Sequence, residues 1–243
     1  MLKKIAILLL LVGLAGYFVV AVTILNKPRT NVVCSEVDVF VGDSAKALFL
    51  GEEEVMELLN RADCHPIGER MEDISLEKIE KTLSGHVYVN HVVAYKTPGG
   101  KVHIILQQRM PVLNVMTADG QAYFLDNNGN MMPKMTYSLD LPVATGKITP
   151  QFAHQHLLPL ARWIQNDPFW NSQVMQIDVS DKGEIELVPR VGEHTILLGA
   201  PVELKEKLNR MKAFYTKGLN KVGWNKYATI SLKYENQIVC KKK

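Results

Sequence analysis

At 243 residues, with 47% hydrophobic side chains, the chain can bury a core as one large domain or two small ones; it is not a disordered tail. Lys3 and Lys4 are the only charges before Asn26; beyond them 26 basic residues face 25 acidic ones, a net of +1. That argues against nucleic acid as a main partner, since phosphate binding needs a concentrated basic face.

The run Ile5–Leu25 carries no charge. At about 1.5 Å per residue it matches a bilayer core, which takes roughly 20 apolar residues. A secretory signal core is shorter, roughly 7 to 15 residues, and ends at a small-residue cleavage site. Here Val22, Thr23, Ile24 and Leu25 continue the run past Ala21. The stretch therefore reads as a retained transmembrane helix. Lys3 and Lys4 favour a cytoplasmic amino terminus, Lys27 and Arg29 oppose it, and the large following region tips the balance to an exported, anchored protein.

From Cys34 the pattern alternates, with Val37, Val39 and Val41 on one side, as in a strand. Glu52-Glu53-Glu54 then suits a helix start, and Val55, Met56, Leu58 and Leu59 supply its apolar stripe. Cys64-His65-Pro66-Ile67-Gly68 ends it. Ser75 caps a second helix carrying Leu76, Ile79 and Leu83. Strands near Val89–Tyr95 and Lys101–Gln107 flank the turn Thr97-Pro98-Gly99-Gly100.

Gln108-Arg109-Met110-Pro111 marks a seam, because Pro111 cannot continue an inner ladder. Val112–Met116 and Tyr123–Asp126 flank the turn signal Asp119-Gly120. A helix capped by Thr149 runs from Pro150 to about Asn166, with Pro159 awkward inside it. Val174–Val179 and Glu184–Val188 pair across Asp181-Lys182-Gly183, and His194–Leu198 is a further strand. Pro201 is placed in the first turn of a helix with the stripe Leu204, Leu208, Met211 and Tyr215, ended by Gly218. Ala228–Tyr234 and Gln237–Cys240 close the chain as two strands.

Chemistry is sparse. Three cysteines, Cys34, Cys64 and Cys240, lack a Cys-x-x-Cys spacing, which disfavours zinc or thioredoxin-like sites and leaves any pairing open. Asp126, Asn128 and Asn130 begin like a calcium loop, but Met131 stands where Gly is needed and Tyr137 where Glu is needed. His154 and His156 face nearly opposite sides of their helix, and Cys64-His65 are merely adjacent in a turn. Neither a phosphate loop nor a Gly-x-Ser-x-Gly elbow occurs. Trp163, Phe169, Trp170, Tyr215, Trp224 and Tyr227 read better as core than as a ligand platform. The expectation is a region with no catalytic residues, no cofactor, no metal and no small-molecule substrate, working by binding other proteins.

Several motifs, in order, resemble the bacterial cell-division family FtsQ/DivIB. Gln108-Arg109-Met110-Pro111-Val112 resembles its junction between POTRA and β domains, and Gln121–Gly129 its aromatic-Leu-Asp-x-x-Gly hairpin. Thr195–Gly199, Lys207–Tyr215 and Ile230–Tyr234 resemble its closing strand, helix and strand. Val188–Gly192 and Gly223–Tyr227 resemble the Bacteroidetes variant. The resemblance implies an α+β fold: a cytoplasmic tail at 1–4, a single transmembrane helix at 5–25, a β-α-α-β-β POTRA domain at 26–108, and a mixed β domain with two helices at 109–243. It implies an inner-membrane, largely periplasmic protein of the division septum that recruits FtsB and FtsL and helps regulate septal peptidoglycan synthesis.

In that family FtsB adds as a strand on the last strand of the β domain. The matching positions are Gln237, Ile238, Val239 and Cys240, with Lys233 and Tyr234 ending the preceding strand. A terminal strand with free N–H and C=O groups suits that role. Two other classes stand beside it: a POTRA-type periplasmic chaperone for outer-membrane assembly, and a membrane-anchored envelope enzyme.

Overall fold

The computed structural model describes residues 2–25, 32–42, 49–134 and 139–243, with side chains of the first helix described over 10–22. The flank Asn26–Arg29 and Tyr137 lie outside the described residues. Helix α1 covers Leu2–Leu25. Among the described residues no helix is long and apolar enough to cross a membrane. The chain forms two compact units, residues 1–85 with 91–107 and residues 86–90 with 108–243.

The first unit builds β1 (Glu36–Gly42), α2 (Glu52–Arg61), α3 (Leu76–Ser84), β2 (Val89–Thr97) and β3 (Lys101–Gln108). Helix α2 starts at Gly51, whose N–H donates to Glu54 Oε2 at 2.9 Å. The Ser75 hydroxyl accepts the Lys78 amide at 3.2 Å and caps α3. The sheet order is β1-β3-β2, with β1 parallel to β3 so that Val37 lies opposite Val102 and Val39 opposite Ile104. Val55 and Leu59 of α2 and Ile79 and Leu83 of α3 are buried, as are Val102, Ile104 and Leu106 of β3. Two facing helices and one sheet face thus share the apolar residues that the two sequence periods supply. Gly100 has φ +81, and a Cβ there would lie 2.9 Å from the Val33 carbonyl oxygen, so this turn requires glycine. Cys34 is fully buried and, like Cys64 and Cys240, is a free thiol.

The second unit is organised by a nine-stranded sheet. Its strands are β4 (Pro111–Thr117), β5 (Ala122–Asp126), β6 (Met131–Pro133), β7 (Val143–Gly146), β8 (Val174–Val179), β9 (Ile185–Pro189), β10 (Thr195–Gly199), β11 (Tyr227–Ser231) and β12 (Val239–Lys242). Their spatial order is β12-β11-β10-β9-β8-β7-β4-β5-β6. Hairpin neighbours run antiparallel; β4 with β7, β7 with β8, and β10 with β11 run parallel. Two helical crossovers supply the β7–β8 and β10–β11 connections that a tight turn cannot make, while β5 and β6 lie in chain order between β4 and its parallel neighbour β7. The first holds α4 (Pro150–Phe152), a π-helical turn at Ala153–Leu157, α5 (Leu158–Asn166) and α6 (Pro168–Gln173). The second holds α7 (Leu204–Ala213), a π-helical turn at Phe214–Leu219 and α8 (Asn220–Val222).

Three boundaries differ from the sequence reading, while Pro159, awkward within a regular helix, is accommodated by a regular part that starts only at Leu158. Pro159 is carried inside the first crossover: it has no N–H to give, and the turn before it widens so that the Leu158 amide reaches the Ala153 carbonyl. Pro201 stands outside α7, which begins after Glu203 in a left-handed conformation at φ 54. Gly218 does not end the helix. It leaves room for the Phe214 ring, which a Cβ would meet at 2.7 Å, and Gly223, with φ +97, ends the run instead. The last hairpin is also displaced. β11 stops at Ser231 and β12 begins at Val239, because Leu232 bonds to Leu197 of β10 and Asn236 takes a left-handed turn conformation.

Candidate functional site: the terminal sheet edge

Strand β12 ends the sheet order and, among the described residues, pairs only with β11. Its register sets Ser231 opposite Val239, Ile230 opposite Cys240 and Thr229 opposite Lys241. The parity of the ladder follows from the neighbouring strand. The Leu232 amide donates to the Leu197 carbonyl at 2.8 Å, so Leu232 and, two residues back, Ile230 turn their backbone groups toward β10. Thr229 and Ser231 therefore turn theirs toward β12 and engage Lys241 and Val239. Cys240 directs its N–H and C=O away from β11. By the same alternation Ile238 shares that side.

The six positions singled out in the sequence fall into three environments. Val239 and Cys240 lie on β12; Val239 is exposed, and the Cys240 side chain is half-buried against the main core. Burial pushes the Cys240 thiol above its usual range. Ile238 also packs on the core, just before β12, while Gln237 is exposed. Lys233 and Tyr234 lie beyond β11, in the connection. Lys233 Nζ is 2.6 Å from Glu184 Oε2 and holds that carboxyl below its usual range. Tyr234 is 58% exposed, a large aromatic ring turned toward solvent.

Beside the connection lies a shallow groove of about 450 Å³, lined by Arg210, Ala213, Phe214, Lys217, Gly218, Asn236 and Ile238. Of its helical members only Gly218 was singled out in the sequence, and as a helix stop rather than as part of a site. The stripe Leu204, Leu208, Met211 and Tyr215 identifies the buried face of α7, whereas the groove uses a neighbouring face, exposed where the π-helical turn shifts the residue phase. The near-neutral total charge also hides a split: Lys and Arg outnumber Asp and Glu over residues 108–243, and the reverse holds over 32–107.

The other candidates resolve into structure. Asp126 is 1% exposed, accepts the Asn128 and Asn130 amides, and pairs with Arg109, so it stabilises a hairpin turn. Among the described residues no His, Cys, Asp or Glu group could hold a metal. His154 is exposed and His156 packs on Phe152. Cys64 Sγ has Thr82 Oγ1 at 3.7 Å as its hydrogen-bonding neighbour, not His65. Trp170 and Tyr215 are fully buried, and Trp163, Phe169, Trp224 and Tyr227 pack against the same core.

A POTRA-like domain model matches residues 32–107, and the model for the FtsQ/DivIB, C-terminal related domain matches residues 110–241. No curated protein matches the chain. The second match spans more than half of the sequence and runs from the start of β4 into β12, stopping one residue before that strand ends: the chain belongs to the FtsQ/DivIB family.

Proposed function

We propose that this protein is a non-catalytic assembly factor of the division septum that recruits the FtsB–FtsL pair by strand addition at β12. The observation that carries the reading is the backbone of Cys240, whose ladder groups face away from β11 at the end of the sheet. An incoming strand gains main-chain hydrogen bonds there, and its side chains meet Val239, Tyr234 and the lysines around them. Family membership supports a role in division. In this reading α1 anchors the chain in the inner membrane, the two units lie in the periplasm, and recruitment helps regulate septal peptidoglycan synthesis. The anchor rests on the uncharged run Ile5–Leu25.

The test is co-purification of FtsB–FtsL with the full-length chain carrying Cys240→Pro. Proline is tolerated on an edge strand where its missing N–H would have faced solvent, so β12 stays paired with β11. Capture should be lost while the tryptophan-fluorescence melt is kept, and Cys240→Ala should capture normally. Undiminished capture by Cys240→Pro would falsify the docking site. Depletion in the native cell should give filaments with normal outer-membrane assembly; the opposite pattern would favour a chaperone role.

A further inference from the structure

Strand β2 is the outer strand of the three-stranded sheet, with β3 on one side. Its other side is occupied at one position by a side chain. The Ala94 amide donates to Glu80 Oε1 at 2.7 Å, and Glu80 comes from α3. The neighbouring helix residues Ile79 and Leu83 are fully buried, which fixes the face of α3 and so the reach of Glu80. Because Ala94 bonds away from β3, Val92 and Lys96 share its outward parity. Lys96 is also tied down, its Nζ donating to the Met71 carbonyl.

The strand is otherwise suited to pairing. Val93 is 41% and Tyr95 43% exposed, and Tyr95 is stacked on His103 with centroids 4.9 Å apart. An antiparallel pairing of two copies about a two-fold axis at Ala94 sets Val93 of each against Tyr95 of the other. That produces the same apolar–aromatic cross-strand contact twice, in an isologous interface. A long strand with an exposed apolar face is a self-association hazard unless something blocks its ladder. A carboxylate on an amide is a stronger partner than a neutral carbonyl, so an incoming strand must displace the better acceptor.

We propose that Glu80 is a latch that closes the β2 edge against β2 of a second copy, leaving the chain able to dimerise through this edge only when the carboxylate is withdrawn. The proposal is independent of the role of β12. Full-length wild type, Glu80→Ala, Glu80→Gln and the double variant Glu80→Ala/Val93→Lys are compared by sedimentation in one detergent, where α1 contributes equally to all. Glu80→Ala should form a concentration-dependent dimer. Glu80→Gln, whose neutral amide oxygen is a weaker acceptor for the Ala94 N–H, should dimerise more than wild type and less than Glu80→Ala, and Val93→Lys should return Glu80→Ala to monomer. Glu80→Ala with the wild-type mass at every concentration overturns the latch, as does a dimer untouched by Val93→Lys. A measurement on wild type alone guards against a misfolded variant. Hydrogen exchange at Ala94 should be roughly tenfold or more slower than at Val92; equal rates at the two amides overturn the proposal whatever the variants do.

Discussion

Arg109 Nε donates to Asp126 Oδ2 at 2.7 Å, and the carboxylate that receives it is 1% exposed. The same carboxylate accepts the amides of Asn128 at 2.9 Å and Asn130 at 2.7 Å, while the guanidinium also reaches the Val87 and Met131 carbonyls. A residue from the β3–β4 seam and one from the β5 hairpin thereby fix each other. Breaking a buried pair from one side leaves an unmatched charge, which costs about 3–5 kcal/mol. Asp126→Ala should destabilise the second unit by that amount, and Arg109→Ala by a similar or smaller one because Arg109 is 16% exposed. The double variant should cost less than the sum of the two. All three tryptophans lie in residues 108–243, so urea melts followed by tryptophan fluorescence report this unit.

Gly146 and Gly120 both sit at positive φ, +103 and +89, but in different surroundings. A Cβ at Gly146 would clash with the Val179 carbonyl oxygen, on the backbone of β8, while one at Gly120 meets nothing within 4 Å. Gly120→Ala should therefore show only the left-handed penalty, about 1–2 kcal/mol. Gly146→Ala should cost clearly more, since two central strands must part to admit the methyl group. The same fluorescence melt separates them; equal losses would mean that β7 and β8 yield freely.

Much of this architecture was legible because it is written in short periods. The alternation of Val37, Val39 and Val41, the cap Ser75 and the turn Asp119-Gly120 each carry a local physical cause, and each lies in the element expected. The misreadings concern signals whose meaning depends on a particular side-chain or backbone contact rather than on the residue pattern. Gly218 looks like a helix stop until the Phe214 ring is seen to need its space, and Lys233 looks like strand until Glu184 and the departure at Leu232 are in view. The terminal edge was visible as a last strand, but not its parity. Whether Val239 or Cys240 faces outward depends on how Leu232 bonds to Leu197, two strands away. Glu80 was invisible for the same reason, as nothing in its neighbourhood in sequence points to Ala94.

His194 is 3% exposed, with Nε2 2.7 Å from the hydroxyl of the fully buried Tyr215. Burial is the main cause that holds its pKa below the ordinary value of 6.5; the nearby Lys243 acts in the same direction, and the Trp224 backbone offsets part. The unfolded chain therefore takes up a proton at this ring before the folded one does. Stability attributable to His194 is full above pH 6.5 and falls as pH drops toward the depressed folded value. Thermal melts should show a lower Tm at pH 5 than at about pH 7.5, and His194→Gln, which keeps a hydrogen bond to Tyr215, should flatten that slope. His86, shifted downward by burial as well, leaves a residual slope in the variant. A pH dependence unchanged by His194→Gln would show that the ring gains its proton without cost.

Strand addition makes a prediction that no other docking mode shares. In the free chain the amides of Val239 and Lys241 are committed to β11, and that of Cys240 faces outward. A partner strand pairing on β12 supplies carbonyls to the outward set alone. Hydrogen exchange on the FtsB–FtsL complex should therefore slow the Cys240 amide strongly while Val239 and Lys241, already protected, change little. A partner held by side chains in the groove beside Phe214 would instead leave Cys240 near its free rate. A partner that merely stiffened the end of the sheet would slow all three together. Protection confined to one parity is the signature of a shared ladder, and uniform or absent protection along β12 removes the backbone from the recruitment mechanism.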